Sequence, residues 1–324
     1  MGVRNYNIML PQKLEEYRKV LLNISRKINK KYDYQFGINL SEGFTVTSRC
    51  GSVESIEHQQ DNLLGVKIFC EHRQGFAVTN NLSIDSIGKT IGKAQNISNN
   101  TQPDECNGLP ESNFVKGNNA PQLNLSYPSN LETNQIIDIT QKCEKHAFDY
   151  DERIRNSEGS SFSCSNTNAL ILNSKGAHGI MQGTTYSLSC IILAEEGKYK
   201  ERDYEYSATR DFKKLDSPEK IGNHAAEKAI ARLGAKTIKT RVCPVLFSPE
   251  MSASIFNDFL SAITGPAIYK RASFLLDQIG KSIFSNFINI REEPHLKDGM
   301  GSSPYDGEGV LTRKKNIVAA GELK

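Results

Sequence analysis

Residues 179–194 read GIMQGTTYSLSCIILA and lie within a stretch, from Arg153 to Asp211, that is rich in β-branched, aromatic and small polar residues. This composition is typical of strands. The other strand-like segments are SSFSCS at 160–165, NALILNS at 168–174 and YKERDYEYSATRDF at 199–212, with turns at 173–176 and 195–198. Because short turns join antiparallel neighbours, the sequence predicts an antiparallel meander.

The N-terminal part predicts a helix followed by further strands. After Pro11, apolar residues recur every three or four positions, which indicates an amphipathic helix to about residue 31. Strands are expected around 34–40, 43–49, 63–71 and 75–79, and a second helix at 84–97. Residues 98–122 are poor in apolar side chains and rich in Asn, Pro and Gly, so we expect a connector there.

Several more elements follow from capping signals. Ser129 and Glu132 resemble a capping box before a helix that reaches about Phe148. Ser217 and Pro218 begin a helix that ends at Gly234, and a strand is expected at 238–247 before helices at 248–264 and 267–279. The predicted fold class is α+β, with mostly antiparallel sheets and flanking helices. Two to three domains are expected, over 1–122, 123–236 and 237–324.

Composition excludes several classes of protein. The formal net charge is +3 and the pI is slightly basic, but basic residues alternate with acidic ones and no groove-reading motif is present, so a nucleic-acid partner is not expected. The first residues, MGVRNYNIML, lack the apolar core of a signal peptide, and no apolar stretch is long enough to span a membrane. We therefore expect a cytoplasmic protein. The seven cysteines contain no C-x-x-C pair and are interpreted as buried apolar residues.

The helix predicted at 248–264 has an apolar side, made of Ile255, Phe256, Phe259, Leu260 and Ile263, and a polar side. A metalloprotease carries zinc ligands on such a polar side, usually two His with a Glu between them. The six histidines of this chain are all at least ten residues apart. If Asn257 took the first ligand position, the second would fall on Ser261 or Ala262, and neither side chain binds zinc.

No other segment offers a catalytic signature. Glu292, Glu293 and His295 lie close in sequence, but Pro294 prevents a helix that would align them, so we interpret the segment as a surface loop. The chain lacks the G-x-S-x-G and G-x-x-x-x-G-K-[ST] motifs. The most unusual stretch is therefore the glycine-rich segment 299–313, GMGSSPYDGEGVLTR.

That segment resembles the signature of the TldD/PmbA family, also known as modulators of DNA gyrase. The similarity extends to GLP at 108–110, to DERIRNSEG at 151–159 and to the block from Arg241 to Ser273. Within the family, GPAIYKRASFLLDQIGK at 265–281 resembles the PmbA branch, also called TldE. The resemblance also implies that the C-terminal domain is truncated, because IVAAGELK at 317–324 is similar to the first strand and turn of a hairpin whose return strand would be missing.

The resemblance implies a function. TldD-type members are zinc peptidases with His-Glu-x-x-x-His on the helix that corresponds to 250–264, and here those positions are Asn257, Asp258 and Ala262. The chain is then expected to have no catalytic residue and no cofactor, and to pair with a zinc-bearing TldD-type subunit that degrades or matures unfolded peptides. The alternative is a homodimer that binds extended peptides at a sheet edge without hydrolysing them.

Overall fold

The computed structural model describes residues 9–111 and 121–324. Six helices are named here in chain order: α1 Met9–Ser25, α2 Ile84–Asn100, α3 Thr133–Tyr150, α4 Pro218–Ala231, α5 Pro249–Ala262 and α6 Gly265–Tyr269. The strands are β1 Asp33–Arg49, β2 Ser52–Cys70, β3 Arg73–Thr79, β4 Ile154–Asn173, β5 His178–Glu196, β6 Tyr199–Thr209, β7 Ile290–Glu292, β8 Lys315–Ala319 and β9 Glu322–Leu323.

The first six strands form one sheet in the order β3-β2-β1-β4-β5-β6, and all neighbours in it are antiparallel. The predicted meander is confirmed, since β4, β5 and β6 follow one another through short turns. Gly176 and Gly197 adopt positive φ angles of 97° and 59° in these two turns. Glycine occupies this backbone region without the steric cost that a Cβ imposes.

The strands are longer than the sequence predicts. The separate strands expected at 34–40 and 43–49 are one strand, β1, and the two expected at 160–165 and 168–174 belong to β4. The predicted break near Ser41 is wrong, because Ser41 pairs with Asp61 on one side and Thr167 on the other. Polar residues do not end a strand here, since both neighbours continue the hydrogen-bonded ladder.

One face of the sheet carries the core. Phe36, Ile38, Leu40, Phe44 and Val46 alternate along β1 and therefore point to one side. The first three pack in a cluster with Leu14 and Leu21 of α1 and Ile87 and Ile91 of α2. The last two pack in a second cluster with Ile136 of α3 and Ile221 and Ala225 of α4. Helices α1 and α2 thus cover one end of this face of the sheet, and helices α3 and α4 cover the other end.

The helix ends follow from local capping. Ser83 and Ser217 accept hydrogen bonds from Ser86 N–H and Lys220 N–H, as N-cap residues do. The capping box predicted at Ser129 and Glu132 is displaced by three residues, because Glu132 is the N-cap and Gln135 Oε1 accepts its N–H at 2.9 Å. Helix α1 ends at Ser25, six residues before the predicted end.

The chain divides into two compact units. Unit 1 runs to Gly234 and also takes up Pro294–Thr312, and unit 2 consists of Ala235–Glu293 and Arg313–Lys324. The six-stranded sheet of unit 1 continues across the boundary expected at 122 and 123, while the three domain ranges themselves stay predictions. Residues 98–100 belong to α2, residues 101–111 are irregular, and 112–120 of the expected connector lie outside the described residues.

Unit 2 departs most from the sequence prediction. The strand expected at 238–247 is not formed, and the helix expected at 267–279 is limited to α6. Strands β7, β8 and β9 form a small antiparallel sheet around the buried residues Phe259, Val318 and Leu323. Ala320 and Gly321 adopt positive φ angles of 48° and 80° and reverse the chain after β8. The two residues of β9 then pair with β8, so the turn of the hairpin expected at 317–324 is followed by a short return strand.

Two further expectations concern the whole chain. None of the helices in the described part combines the length and apolar character that a membrane span needs. The cysteines are all free thiols. Cys143 and Cys190 are buried as expected, but the interpretation is wrong for Cys50, Cys106 and Cys243, which are exposed. Each of these three lies in a turn or an irregular segment, where no packed layer covers it.

Candidate functional site

Helix α5 carries the positions where the sequence raised the question of a zinc site. Ser248 caps it by accepting the N–H of Met251, Pro249 occupies the first turn, and Glu250 lies at the positive end of the helix. Phe259 is its buried anchor, with its ring edge-on to Phe284 at a centroid distance of 5.1 Å. The helix therefore forms as its capping signals predict.

The expected apolar face is only partly buried. Phe259 is buried and Ile263 packs against the same cluster, but Ile255 and Leu260 are 45% and 39% exposed. The apolar side predicted for this helix is therefore not buried at Ile255 and Leu260. The small cluster around Phe259, Val318 and Leu323 leaves both side chains outside it.

The three positions that correspond to a zinc motif do not form a ligand set. Asn257 and Asp258 are exposed, and Ala262 is the last residue of the helix. These side chains are an amide, a carboxylate and a methyl group, and of the three only the carboxylate is a usual zinc ligand, so the set does not fit a zinc site.

The acidic and histidine residues of 292–295 have separate partners. Glu292 pairs with Lys315 at 2.8 Å, and Glu293 pairs with Lys314 at 2.6 Å. His295 Nε2 lies 2.9 Å from Thr312 Oγ1. Within residues 9–111 and 121–324, no group of three His, Cys, Asp or Glu side chains is arranged to hold a metal ion.

The glycine-rich segment that carries the family resemblance folds back on itself in unit 1 through its own hydrogen bonds. Asp306 Oδ1 accepts the N–H groups of Glu308 and Val310, both at 2.9 Å. The Asp306 N–H in turn donates to Val310 O at 2.9 Å, and Thr312 Oγ1 donates to Ser303 O. We call residues 294–312 the clasp, because these hydrogen bonds close it on itself and further contacts attach it to the sheet.

Glycine makes the attachment to the β4–β5 hairpin possible. A Cβ on Gly179 of β5 would lie 2.8 Å from Tyr305 Cε2, and one on Gly309 would lie 2.8 Å from Ala177 Cβ. Gln35 of β1 donates from Nε2 to Gly307 O at 3.0 Å. Non-bonded atoms closer than about 3.0 Å would have to move apart. The clasp therefore packs against the β4–β5 hairpin in this way only because positions 179 and 309 lack a side chain.

A second attachment is polar and centres on Asp298. Its carboxylate accepts hydrogen bonds from Lys214 Nζ and Tyr127 Oη, and its N–H donates to Leu123 O at 2.9 Å. The Lys214 ammonium, followed by the Tyr127 hydroxyl, lowers the pKa of the Asp298 carboxyl. Arg210 adds a link by donating from Nη2 to Met300 O at 2.7 Å.

The GLP segment that contributed to the resemblance lines an open cavity of about 590 Å³ in unit 1. Gly108 and Leu109 line it together with Glu71 and His72 of the β2–β3 turn and with Lys175. His72 O holds the segment by accepting the N–H of Asp104 at 2.9 Å and Asn107 Nδ2 at 3.2 Å. The clasp and the GLP segment are thus both attached by hydrogen bonds to strands or turns of the six-stranded sheet.

Comparison with known proteins decides the family. The chain is 34% identical over 306 residues to the Metalloprotease PmbA homolog of Buchnera aphidicola subsp. Acyrthosiphon pisum, a match that covers 94% of this chain and 68% of that protein. It is also 34% identical over 292 residues to Metalloprotease PmbA of Escherichia coli O157:H7. The chain belongs to the PmbA/TldD family.

Models of three PmbA/TldD domains match consecutive parts of the chain. PmbA/TldA metallopeptidase domain 1 matches residues 38–98, the central domain 126–233 and the C-terminal domain 240–324. The E. coli match covers 89% of this chain but only 64% of that protein. The chain therefore spans about two thirds of the length of these PmbA proteins.

Solved structures have the same fold. A candidate modulator of DNA gyrase from Bacteroides thetaiotaomicron superposes with a TM-score of 0.85 at 23% identity, covering 95% of this chain and 70% of that chain. TldE from Thermococcus kodakarensis superposes with a TM-score of 0.75 at 21% identity, covering 95% and 69%. The α+β fold of antiparallel sheet and flanking helices is thus the fold of PmbA/TldD proteins.

Sequence reasoning recognised the PmbA/TldD signature but missed the residues that hold it. Asp298, Lys214, Tyr127 and Arg210 are separated by up to 171 positions along the chain, and no local motif joins them. A usable signal was the pair of glycines at 179 and 183 within a predicted strand. Glycine inside a strand often marks the close approach of another backbone or ring.

Proposed function

We propose that this chain is the PmbA/TldE-type subunit of a cytosolic zinc metallopeptidase that degrades or matures unfolded peptides. In this proposal the TldD-type partner supplies the zinc site and performs hydrolysis, and this chain has no catalytic residue. The observation that carries the proposal is that α5 lacks zinc ligands of the usual kind although the chain belongs to a metallopeptidase family. Asn257, Asp258 and Ala262 stand where zinc-binding members carry His, Glu and His.

Two points of chemistry support a role without metal for α5. Zinc in peptidases is bound by imidazole, thiolate or carboxylate groups that converge on one point, and a fourth position is left for water. The methyl group of Ala262 cannot bind a metal, and the amide of Asn257 is not among these ligand groups. In this proposal hydrolysis is therefore supplied by another polypeptide.

The identity of 34% to Metalloprotease PmbA of Escherichia coli O157:H7 supports the choice of the PmbA/TldE branch. The test is co-expression of this chain, tagged, with the TldD-type protein of the same genome, followed by measurement of the mass and the zinc content of the complex. We expect a stable heteromer whose zinc content equals that of the partner alone. Stoichiometric zinc in the isolated, untagged chain, or no co-purification of a folded partner, would overturn the proposal.

A second candidate function is a peptide-binding homodimer without hydrolysis, which one feature of unit 1 favours. Strand β6 is an edge of the six-stranded sheet, and among the described strands it pairs only with β5. Tyr204 and Tyr206 on it are more than half exposed, and their rings stack with centroids 6.3 Å apart. An edge strand can accept an extended peptide through its backbone, with such side chains as contacts.

This candidate makes a separate prediction. The isolated chain should bind unfolded peptides as a dimer, and Tyr204→Ala with Tyr206→Ala should weaken the binding. Tyr199→Ala is the matched control, since Tyr199 is exposed on the same strand outside the stacked pair. Peptide binding that requires the TldD-type partner would favour the subunit proposal instead.

A further inference from the structure

The chain contains a single Asn–Gly sequence, Asn107–Gly108, at the start of the GLP segment. In such a sequence the backbone nitrogen of the glycine can attack the side-chain carbonyl carbon of the asparagine, because glycine has no Cβ to obstruct the approach. The product is a five-membered succinimide ring. Water then opens the ring to aspartate or isoaspartate, so the amide of the asparagine is lost.

The structure leaves the attacking nitrogen of Gly108 free. Gly108 is exposed in an irregular segment, and its N–H has no hydrogen-bond partner among the described residues. A Cβ at this position would have no atom within 4 Å, so nothing crowds the ring that has to form. The Asn107 side chain is restrained by one hydrogen bond, from Nδ2 to His72 O at 3.2 Å. This distance is at the long end of the normal range, so the amide can turn towards Gly108 at little cost.

Two Asp–Gly sequences in the clasp offer the same reaction but are restrained at both reacting groups or at the carboxylate. The Asp298 carboxylate is held by two side chains, and the Gly299 N–H donates to Leu296 O at 3.2 Å. Asp306 Oδ1 accepts two backbone N–H groups, both at 2.9 Å. Of the three sequences, the one at Asn107 is therefore the one that the fold leaves open to ring closure.

Loss of the Asn107 amide would remove one of two attachments of the GLP segment. His72 O accepts the N–H of Asp104 and the Nδ2 group of Asn107. A carboxylate at 107 has no proton to donate at neutral pH, and it would face the carbonyl oxygen of His72 instead. It would also add a negative charge to a cavity that Glu71 lines, and like charges repel. Isoaspartate would in addition lengthen the main chain by one methylene group.

We propose that Asn107 is a site of spontaneous deamidation, and that the change releases the GLP segment from the β2–β3 turn. The bond from Gly108 N to Asn107 Cγ forms as the bond from Cγ to Nδ2 breaks. Gly108 N gives up its proton, and the amide nitrogen takes up a proton and leaves as ammonia. Water from the solvent then breaks one of the two ring C–N bonds. The inference goes beyond the proposed function and does not depend on zinc, a partner subunit or a peptide.

The site is tested by incubating the purified chain at mildly alkaline pH, which favours loss of the peptide proton, and by mapping its peptides with mass spectrometry. We expect deamidation at Asn107 to be at least about tenfold faster than at Asn173, which precedes serine rather than glycine. Asn173 is a suitable internal control, because its Oδ1 accepts the N–H groups of Lys175 and Ala177 at 3.0 and 2.9 Å.

Gly108→Ala supplies a second check on the site. Gly108 does not adopt a positive φ angle and has open space around it, so alanine fits the fold. The new Cβ obstructs the attacking nitrogen, and deamidation at Asn107 should slow by about tenfold. Equal rates at Asn107 and Asn173, or a rate at Asn107 that Gly108→Ala leaves unchanged, would overturn the proposal.

The release is tested separately with Asn107→Asp, which carries the carboxylate of the product from the outset. We expect amide exchange at Asp104 to become about fivefold faster, because the segment has lost one hydrogen bond. Asn39→Asp is the matched control, since it adds the same charge at an exposed position of β1 and should leave this exchange rate unchanged. Unchanged exchange in Asn107→Asp, or an equal increase in Asn39→Asp, would overturn the release of the segment.

Discussion

The ring of Tyr305 lies directly over Gly179, so that a Cβ at position 179 would come within 2.8 Å of Tyr305 Cε2 and 2.9 Å of Cδ2. Gly179 is the second residue of β5, and Tyr305 lies in the clasp. The packing of the family signature against β5 therefore depends partly on a glycine that lies more than a hundred positions earlier in the chain.

Gly179→Ala is expected to destabilise unit 1 by about 1–3 kcal/mol, because the new methyl group overlaps the Tyr305 ring and forces it to move. Gly37→Ala is the matched control, since a Cβ there has no atom within 4 Å, and its effect should stay within about 0.5 kcal/mol. Denaturant unfolding of both variants measures the difference. The effects of Gly179→Ala and Tyr305→Ser should be non-additive, because Tyr305→Ser removes the ring that the new methyl group would meet. Equal effects of Gly179→Ala and Gly37→Ala would contradict the contact.

Helices α3 and α4 are in close contact at Gly222. A Cβ at this position would lie 2.2 Å from Cys143 O and 3.0 Å from Ala147 N. Gly222→Ala should therefore destabilise the protein by about 1–3 kcal/mol, although alanine is the better helix former. Thermal or denaturant unfolding measures this change.

A helix glycine with free space gives the opposite sign and serves as the control. A Cβ on Gly88 of α2 has no atom within 4 Å. Gly88→Ala should stabilise the protein by about 0.5–1 kcal/mol, because it removes backbone freedom from the unfolded chain. A stabilising effect at both positions would show that α3 and α4 are further apart than described.

The clasp should also respond to acid through Asp298. Its pKa is lowered in the folded state, chiefly by Lys214 and then by Tyr127. A carboxyl whose pKa is lowered by folding stabilises the folded state at pH values above its ordinary pKa. That stabilisation is lost as the pH falls through the pKa of the folded state. We therefore expect Asp298→Asn to be most destabilising at neutral pH, and the difference from the natural protein to disappear in acid.

Titration of the carboxyl by NMR checks the cause. Lys214→Gln should return the Asp298 pKa towards its ordinary value by more than Tyr127→Phe does, because the Lys214 hydrogen bond is the larger cause of the shift. A larger effect of Tyr127→Phe, or an unfolding profile of Asp298→Asn that is parallel to that of the natural protein at every pH, would contradict this assignment.

How far the sequence predicted the fold differs between the two units. In unit 1 the local signals agree with the tertiary structure: the caps at Ser83 and Ser217 and the glycines at 176 and 197 place helices and turns where the sheet requires them. The errors there concern lengths. Strands such as β1 and β4 run through polar residues because neighbours on both sides extend the ladder, which no local pattern reveals.

In unit 2 the pattern at 238–247 predicts a strand, but no described strand pairs with this segment and the strand is not formed. A strand is a pairwise structure, and side-chain preference cannot form it without a second strand. The same limit applies to the site. The identities of Asn257, Asp258 and Ala262 could be read from the sequence, while the exposure of Ile255 and Leu260 depends on how many elements surround α5.

The geometry of α5 makes the last prediction. Asn257 and Ser261 are exposed and one turn apart, so Asn257→His with Ser261→His should place two imidazoles about 40° apart on one face and create a zinc site. Asn257→His alone, which offers one imidazole, is the control. We expect the pair to bind zinc at least about tenfold more tightly than the single variant, because two convergent ligands share one ion. Competition with a fluorescent zinc chelator measures both variants, and the natural chain is the baseline. Equal affinities would mean that α5 departs from regular helical geometry between 257 and 261, and the inference that residue identity keeps α5 from binding zinc would then fail.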